Sequence, residues 1–114
     1  MSAPKVADKA SKRQGPIDAA PAFAHGRYFI GDSMSPAYEQ GDLLIVYPGR
    51  PVRPGDDCVF VRDQGDGTQQ FMVKRLLRIT AKKWRVRQYS PAKDFDLDRS
   101  QWQKVELIVG KQSR

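Results

Sequence analysis

Chemistry in this chain begins with Ser33, in the segment "FIGDSMSP" at residues 29–36. A serine hydroxyl is a weak nucleophile until a neighbouring group takes its proton. Gly31 and Asp32 are turn formers, and Ser35 followed by Pro36 reads as a helix N-cap with proline at the first helical position. Such a turn would hold Ser33 at the end of a strand. The single histidine, His25, lies upstream in a segment without periodicity, so a Ser-His-Asp triad would need it to dock back onto Ser33. A lysine can serve instead. That lysine must be neutral near pH 7, although a free one titrates at about 10.4. Burial among apolar groups, away from carboxylates, lowers that value by several units. The base is therefore to be sought in an apolar strand rather than a charged loop.

Lys74 meets this requirement in "FMVKRLLRIT" (71–80). Residues 72, 74 and 76 share one face of a strand, so Lys74 lies between Met72 and Leu76. The nearest acids in sequence are Asp66 and Asp94. The other lysines fit less well: Lys5, Lys9 and Lys12 lie in the N-terminal segment, Lys82 and Lys83 in a turn, Lys93 and Lys104 near acids. Arg75 is flanked by Val73 and Leu77, but a guanidinium does not give up its proton. On local pattern alone a second reading stays open, in which Lys74 lays its stem on apolar surface and its ammonium reaches water.

The elements that must position these two side chains are short strands. "RYFI" reads as one, "DLLIVY" (42–47) as a strand covered on both faces, and "CVFVRD" as a third. "DQGDGTQQ" is a glycine-rich hairpin connection leading into "FMVKRLLRIT". "WRVRQY" and "VELIVG" complete six strands, with "SPAKDFDLDRSQW" between them read as mostly loop and one helical turn expected at Pro36–Glu39. This pattern predicts a mainly β fold, a small barrel or curled sheet, over residues 28–114. Residues 1–27 are rich in Ala, Lys, Ser and Pro and read as a flexible arm, or one that docks. They hold no helix-turn-helix.

The bulk properties narrow the functions. One domain fits 114 residues, and no apolar run suits a membrane span or signal peptide, so a cytoplasmic protein is expected. The lone Cys58 sits in "CVFV" and reads as a buried structural thiol; no metal site or cofactor is expected. Net charge is +7, and every charged residue from Lys74 to Lys93 is basic. That allows weak, non-specific nucleic-acid binding. The alternation in "KKWRVRQY" equally describes the solvated face of a strand.

"GDSMSPAYEQGDLLIV", then "RPGDDCVFV", then "FMVKRLLRI", resembles the peptidase domain of the LexA repressor, the phage CI-type repressors and UmuD, a group related to signal peptidases. The resemblance runs from about Tyr28 to Gly110, and "YPGRPVRPGD" with "QYSPA" is closest to the phage-repressor type. It implies a LexA-like fold, with Ser33 as nucleophile and Lys74 as general base. It also implies an oxyanion pocket and site lining around Asp32, Met34, Gly41 and Met72. Such proteins cut their own chain upstream of the serine, in the DNA-damage (SOS) response or in prophage control. This chain lacks the family's Ala-Gly or Cys-Gly bond there; Ala19-Ala20 and Ala22-Phe23 are the remaining candidates. The resemblance further implies a homodimer, and as partners a RecA filament, a repressor or a translesion polymerase subunit. The alternative reading is a non-cleaving dimerisation or assembly module similar to processed UmuD.

Overall fold

The computed structural model describes residues 5–7, 10–11, 25–31 and 33–113. Nine strands lie among them: β1 (Lys5–Ala7), β2 (Ala10–Ser11), β3 (His25–Ile30), β4 (Leu43–Tyr47), β5 (Asp57–Asp63), β6 (Gln69–Ile79), β7 (Lys83–Tyr89), β8 (Ala92–Asp98) and β9 (Lys104–Gln112). They form one sheet in the order β1-β3-β4-β9-β5-β6-β7-β8, with β2 pairing β6. Only β1 and β3 run parallel. β1 joins β3 while β2 joins β6, so these two short strands pair with strands that are far apart in the sheet order. The expected mainly β, curled or barrel-like fold is what the chain adopts. Among the described residues no helix is long and apolar enough to cross a membrane.

The hairpin β5–β6 forms a wall between two apolar clusters, because alternate residues of a strand face opposite sides. Val59, Val61, Phe71 and Val73 join Phe29, Met34, Tyr38, Leu44, Val46 and Ile108 in the first. Cys58, Phe60 and Leu76 join Trp84, Val86, Leu97 and Trp102 in the second, with Met72 packed against it. In the first, the buried Arg27 guanidinium donates to both Glu106 carboxylate oxygens, at 2.8 and 3.0 Å, and lies over the Phe71 ring. In the second, the Trp84 indole N–H reaches the Trp102 carbonyl at 2.9 Å.

Three readings need correction. The segment "SPAKDFDLDRSQW" is not mostly loop. Its residues 92–98 form β8, with Leu97 buried and Phe95 packed on the second cluster. "DFDLD" is itself a period-two pattern, and its aspartates meet β7 in register: Arg87 with Asp94 at 2.8 Å, Arg85 with Asp96 at 3.2 Å, Lys83 with Asp98 at 3.9 Å. The basic run of β7 is thus largely matched by acids from the next strand. β4 is buried on one face only: Leu44 and Val46 point inward, while Leu43, Ile45 and Tyr47 are half-buried. Residues 33–37 make turns rather than a capped helix; a single hydrogen bond from Tyr38 N–H to Met34 C=O closes one α-turn, and the Ser35–Pro36 bond is cis. The Ser35 hydroxyl donates to the Glu39 carboxylate at 2.8 Å instead of capping backbone N–H groups. Within the segment read as an arm that is flexible or docks, residues 5–7 and 10–11 pair as strands, and β3 begins at His25.

Candidate active site

Ser33 lies on the loop between β3 and β4, and that loop is closed at its base. Phe29 N–H donates to Asp42 C=O at 2.9 Å, and Gly41 N–H to Phe29 C=O at 2.8 Å. Gly31 and Gly41 have φ of 124° and 93°, a region that residues with a Cβ avoid. Met34, fully buried, and Tyr38 anchor the loop in the first apolar cluster. From the other side, Tyr89 N–H and Ser90 N–H both donate to the Ser33 carbonyl, at 2.8 and 2.9 Å. The loop's far end is held by Asp42, whose carboxylate accepts from Glu39 N–H at 2.9 Å, and by Lys111, whose ammonium donates to Ala37 C=O at 2.7 Å.

Lys74 sits in the middle of β6, opposite Cys58 on β5. It is 2 % exposed, and Ser33 is 7 % exposed. Lys74 Nζ and Ser33 Oγ are 2.9 Å apart, so residues 41 positions apart meet in a buried hydrogen bond. The stretch of β6 around Lys74 lies between its two outer partners: β2 covers Gln69–Gln70, and β7 begins at Arg75. A hydroxyl and an amine at this distance, shielded from solvent, can exchange a proton without an intervening water.

The other residues named from the sequence fall in different places. Met34 follows the serine and packs inward. Met72 shares the Lys74 side of β6 and is half-buried against the second cluster. The Gly41 N–H is already used by Phe29, so this residue shapes the loop rather than offering a donor. Asp32 and the candidate bonds Ala19–Ala20 and Ala22–Phe23 lie outside the described residues. His25 begins β3 opposite Val46, roughly 17 Å of strand from Ile30 at about 3.4 Å per residue. Among the described residues no cluster of three or more His, Cys, Asp or Glu is placed to hold a metal.

One group of side chains beside the dyad was not legible in the sequence. Asp57 lies directly across from Arg75, the residue after Lys74. Its carboxylate accepts from Arg75 Nε at 2.9 Å and from the Tyr38 hydroxyl at 2.7 Å. Burial, then the bond to Asp57, pushes the Tyr38 phenol well above its usual titration. Burial, then the nearby Asp56 and Asp57 charges, does the same to the Cys58 thiol. Cys58 is therefore kept as a thiol, the unreactive form.

The profile of the family described as Peptidase S24-like matches residues 23–111, a span that includes both Ser33 and Lys74. The chain is also similar to a protein of Rhizobium phage 16-3 named Repressor protein C, with 34% identity over 91 residues. That match takes in 75% of this chain and 34% of the phage protein, so the chain spans about a third of the curated relative it matches.

Proposed function

Given that the chain belongs to the Peptidase S24-like family, we propose that it is a serine endopeptidase domain of the LexA and phage-repressor type. Ser33 is its nucleophile and Lys74 its general base. The observation that carries this reading is the 2.9 Å contact between two buried side chains. The neutral amine of Lys74 accepts the hydroxyl proton as Ser33 Oγ bonds to a peptide carbonyl carbon. Burial disfavours an ammonium and so favours the form that can accept. The same nitrogen then returns the proton to the leaving amine, and the C–N bond breaks to leave an ester on Ser33. Water, deprotonated by Lys74, hydrolyses that ester. Backbone N–H groups about Ser33 and Met34 are the candidates for stabilising the oxyanion. The scissile bond lies in the chain's own N-terminal segment, and the domain serves transcription control in a prophage or in the DNA-damage response.

The test is mass spectrometry of the purified chain and of Ser33→Ala and Lys74→Ala after incubation at neutral and alkaline pH. A cut found only in the unmutated chain, faster as pH rises, is expected. No cut in any of the three would shift the reading to a non-cleaving dimerisation module. One observation favours that second reading: Val109 is 45% exposed at the register shift beside Ile45, and Leu43, Ile45 and Tyr47 of the paired β4 are only half-buried. A concentration-dependent dimer, without cleavage, is its signature. A RecA filament, a repressor or a translesion polymerase subunit would be its partners.

A further inference from the structure

We infer that Asp57 is a positioning residue for the Ser33–Lys74 pair, acting through Tyr38 and Arg75; the inference rests on the dyad reading above. Asp57 ties the loop carrying the nucleophile to the strand carrying the base, alongside the direct Lys74–Ser33 contact. Its Oδ2 takes the Tyr38 hydroxyl at 2.7 Å, and Tyr38 N–H closes the α-turn onto Met34, next to Ser33. Its Oδ1 takes Arg75 Nε at 2.9 Å, and Arg75 follows Lys74 on β6. Arg75 also lies over the Tyr89 ring, and Tyr89 N–H holds the Ser33 carbonyl at 2.8 Å. The contacts thus run in a ring from Ser33 through Met34, Tyr38, Asp57, Arg75 and Tyr89 back to Ser33. The carboxylate's side chain is 12 % exposed. This ionic clamp lies at the edge of the first cluster, where Tyr38 packs. What the clamp adds is a fixed distance between two elements that belong to opposite parts of the sheet.

A displacement of about 1 Å between reacting groups can cost on the order of a hundredfold in rate. The experiment follows acylation of Ser33 by p-nitrophenyl acetate at about pH 9, from nitrophenolate release and from mass spectrometry of the Ser33 peptide, across ester concentrations. Ser33→Ala and Lys74→Ala define the background. Asp57→Leu is expected to lower the limiting rate roughly tenfold or more while leaving the half-saturating concentration within about twofold. Asp57→Asn, which keeps one acceptor oxygen, recovers part of the loss, and Tyr38→Phe falls between. Val61→Ala, in the same cluster but away from the ring, controls for lost stability. It is expected to keep the full limiting rate despite a lower urea midpoint. Asp57→Leu at the unmutated limiting rate, or a Val61→Ala rate equally reduced, overturns the positioning role and leaves the dyad standing. Equal acylation of the unmutated chain and Lys74→Ala overturns the dyad, and this inference with it.

Discussion

The alkaline window in which a serine–lysine pair is assayed is also one in which this fold loses stability. The perturbation is a change from pH 7.5 to pH 10. Cys58 is fully buried and Tyr38 is 9 % exposed; both stay protonated in the folded chain well above the pH at which they ionise when unfolded. Groups whose folded titration is raised contribute fully below their unfolded values, and that contribution is lost as pH climbs towards the folded ones. A free thiol titrates at about 8.5 and a phenol at about 10. At pH 10, ionisation in the unfolded chain therefore favours unfolding by roughly 2 kcal/mol through Cys58 and ~0.4 kcal/mol through Tyr38. With a urea m-value of ~1.5 kcal/mol/M, the Cys58 share lowers the midpoint by about 1.3 M. The assay compares urea midpoints of the unmutated chain and Cys58→Ala at the two pH values. Cys58→Ala should be less stable at pH 7.5, by about 1 kcal/mol for the atoms removed. Between the two pH values its midpoint should nonetheless fall by about 1.3 M less than that of the unmutated chain. Equal falls in both proteins would refute the reasoning, because the thiol would then ionise as freely in the fold as out of it.

Two further outcomes test the frame around the site. Glu106→Gln leaves the Arg27 guanidinium buried without its counter-charge and should cost about 3–5 kcal/mol in urea unfolding, while Arg27→Met with Glu106→Leu recovers most of it. In acid, the Asp94 carboxyl is held below its usual range by its hydrogen bond to Arg87, and Asp98 by its bonds to the Ser100 hydroxyl and N–H. Their depressed titrations place their stabilisation above about pH 3.9, to be lost as pH falls through the folded values. The urea midpoint of Asp94→Asn should accordingly fall less between pH 5 and pH 3 than that of the unmutated chain.

How much of this was readable beforehand depends on range along the chain. Strands β5, β6 and β9 announced themselves through β-branched and aromatic runs between glycine-rich turns, and Lys74 through the apolar residues on either side of it. β8 was hidden because its three aspartates looked like loop polarity; their partners lie on the preceding strand and become visible only with the register. The same holds for Asp57. Nothing local says that it faces Arg75 or that Tyr38 reaches over it, since both contacts depend on how the sheet curls. The helix N-cap expected at Ser35 failed for a different reason. The loop is pinned at both ends, by Phe29 with Gly41–Asp42 and by Tyr89–Ser90 on the serine carbonyl, so tertiary bonds override the N-cap preference of Ser35.

The party wall made by β5 and β6 has an evolutionary consequence. Even and odd positions along it serve separate interiors, so losing one residue from β6 ahead of Lys74 would send its amine into the opposite chamber and swap Phe71 and Val73 out of theirs. Losing two would restore the facing while shifting the amine by nearly 7 Å at ~3.4 Å per residue, beyond reach of the hydroxyl. Length in this strand is therefore constrained in both parity and absolute count.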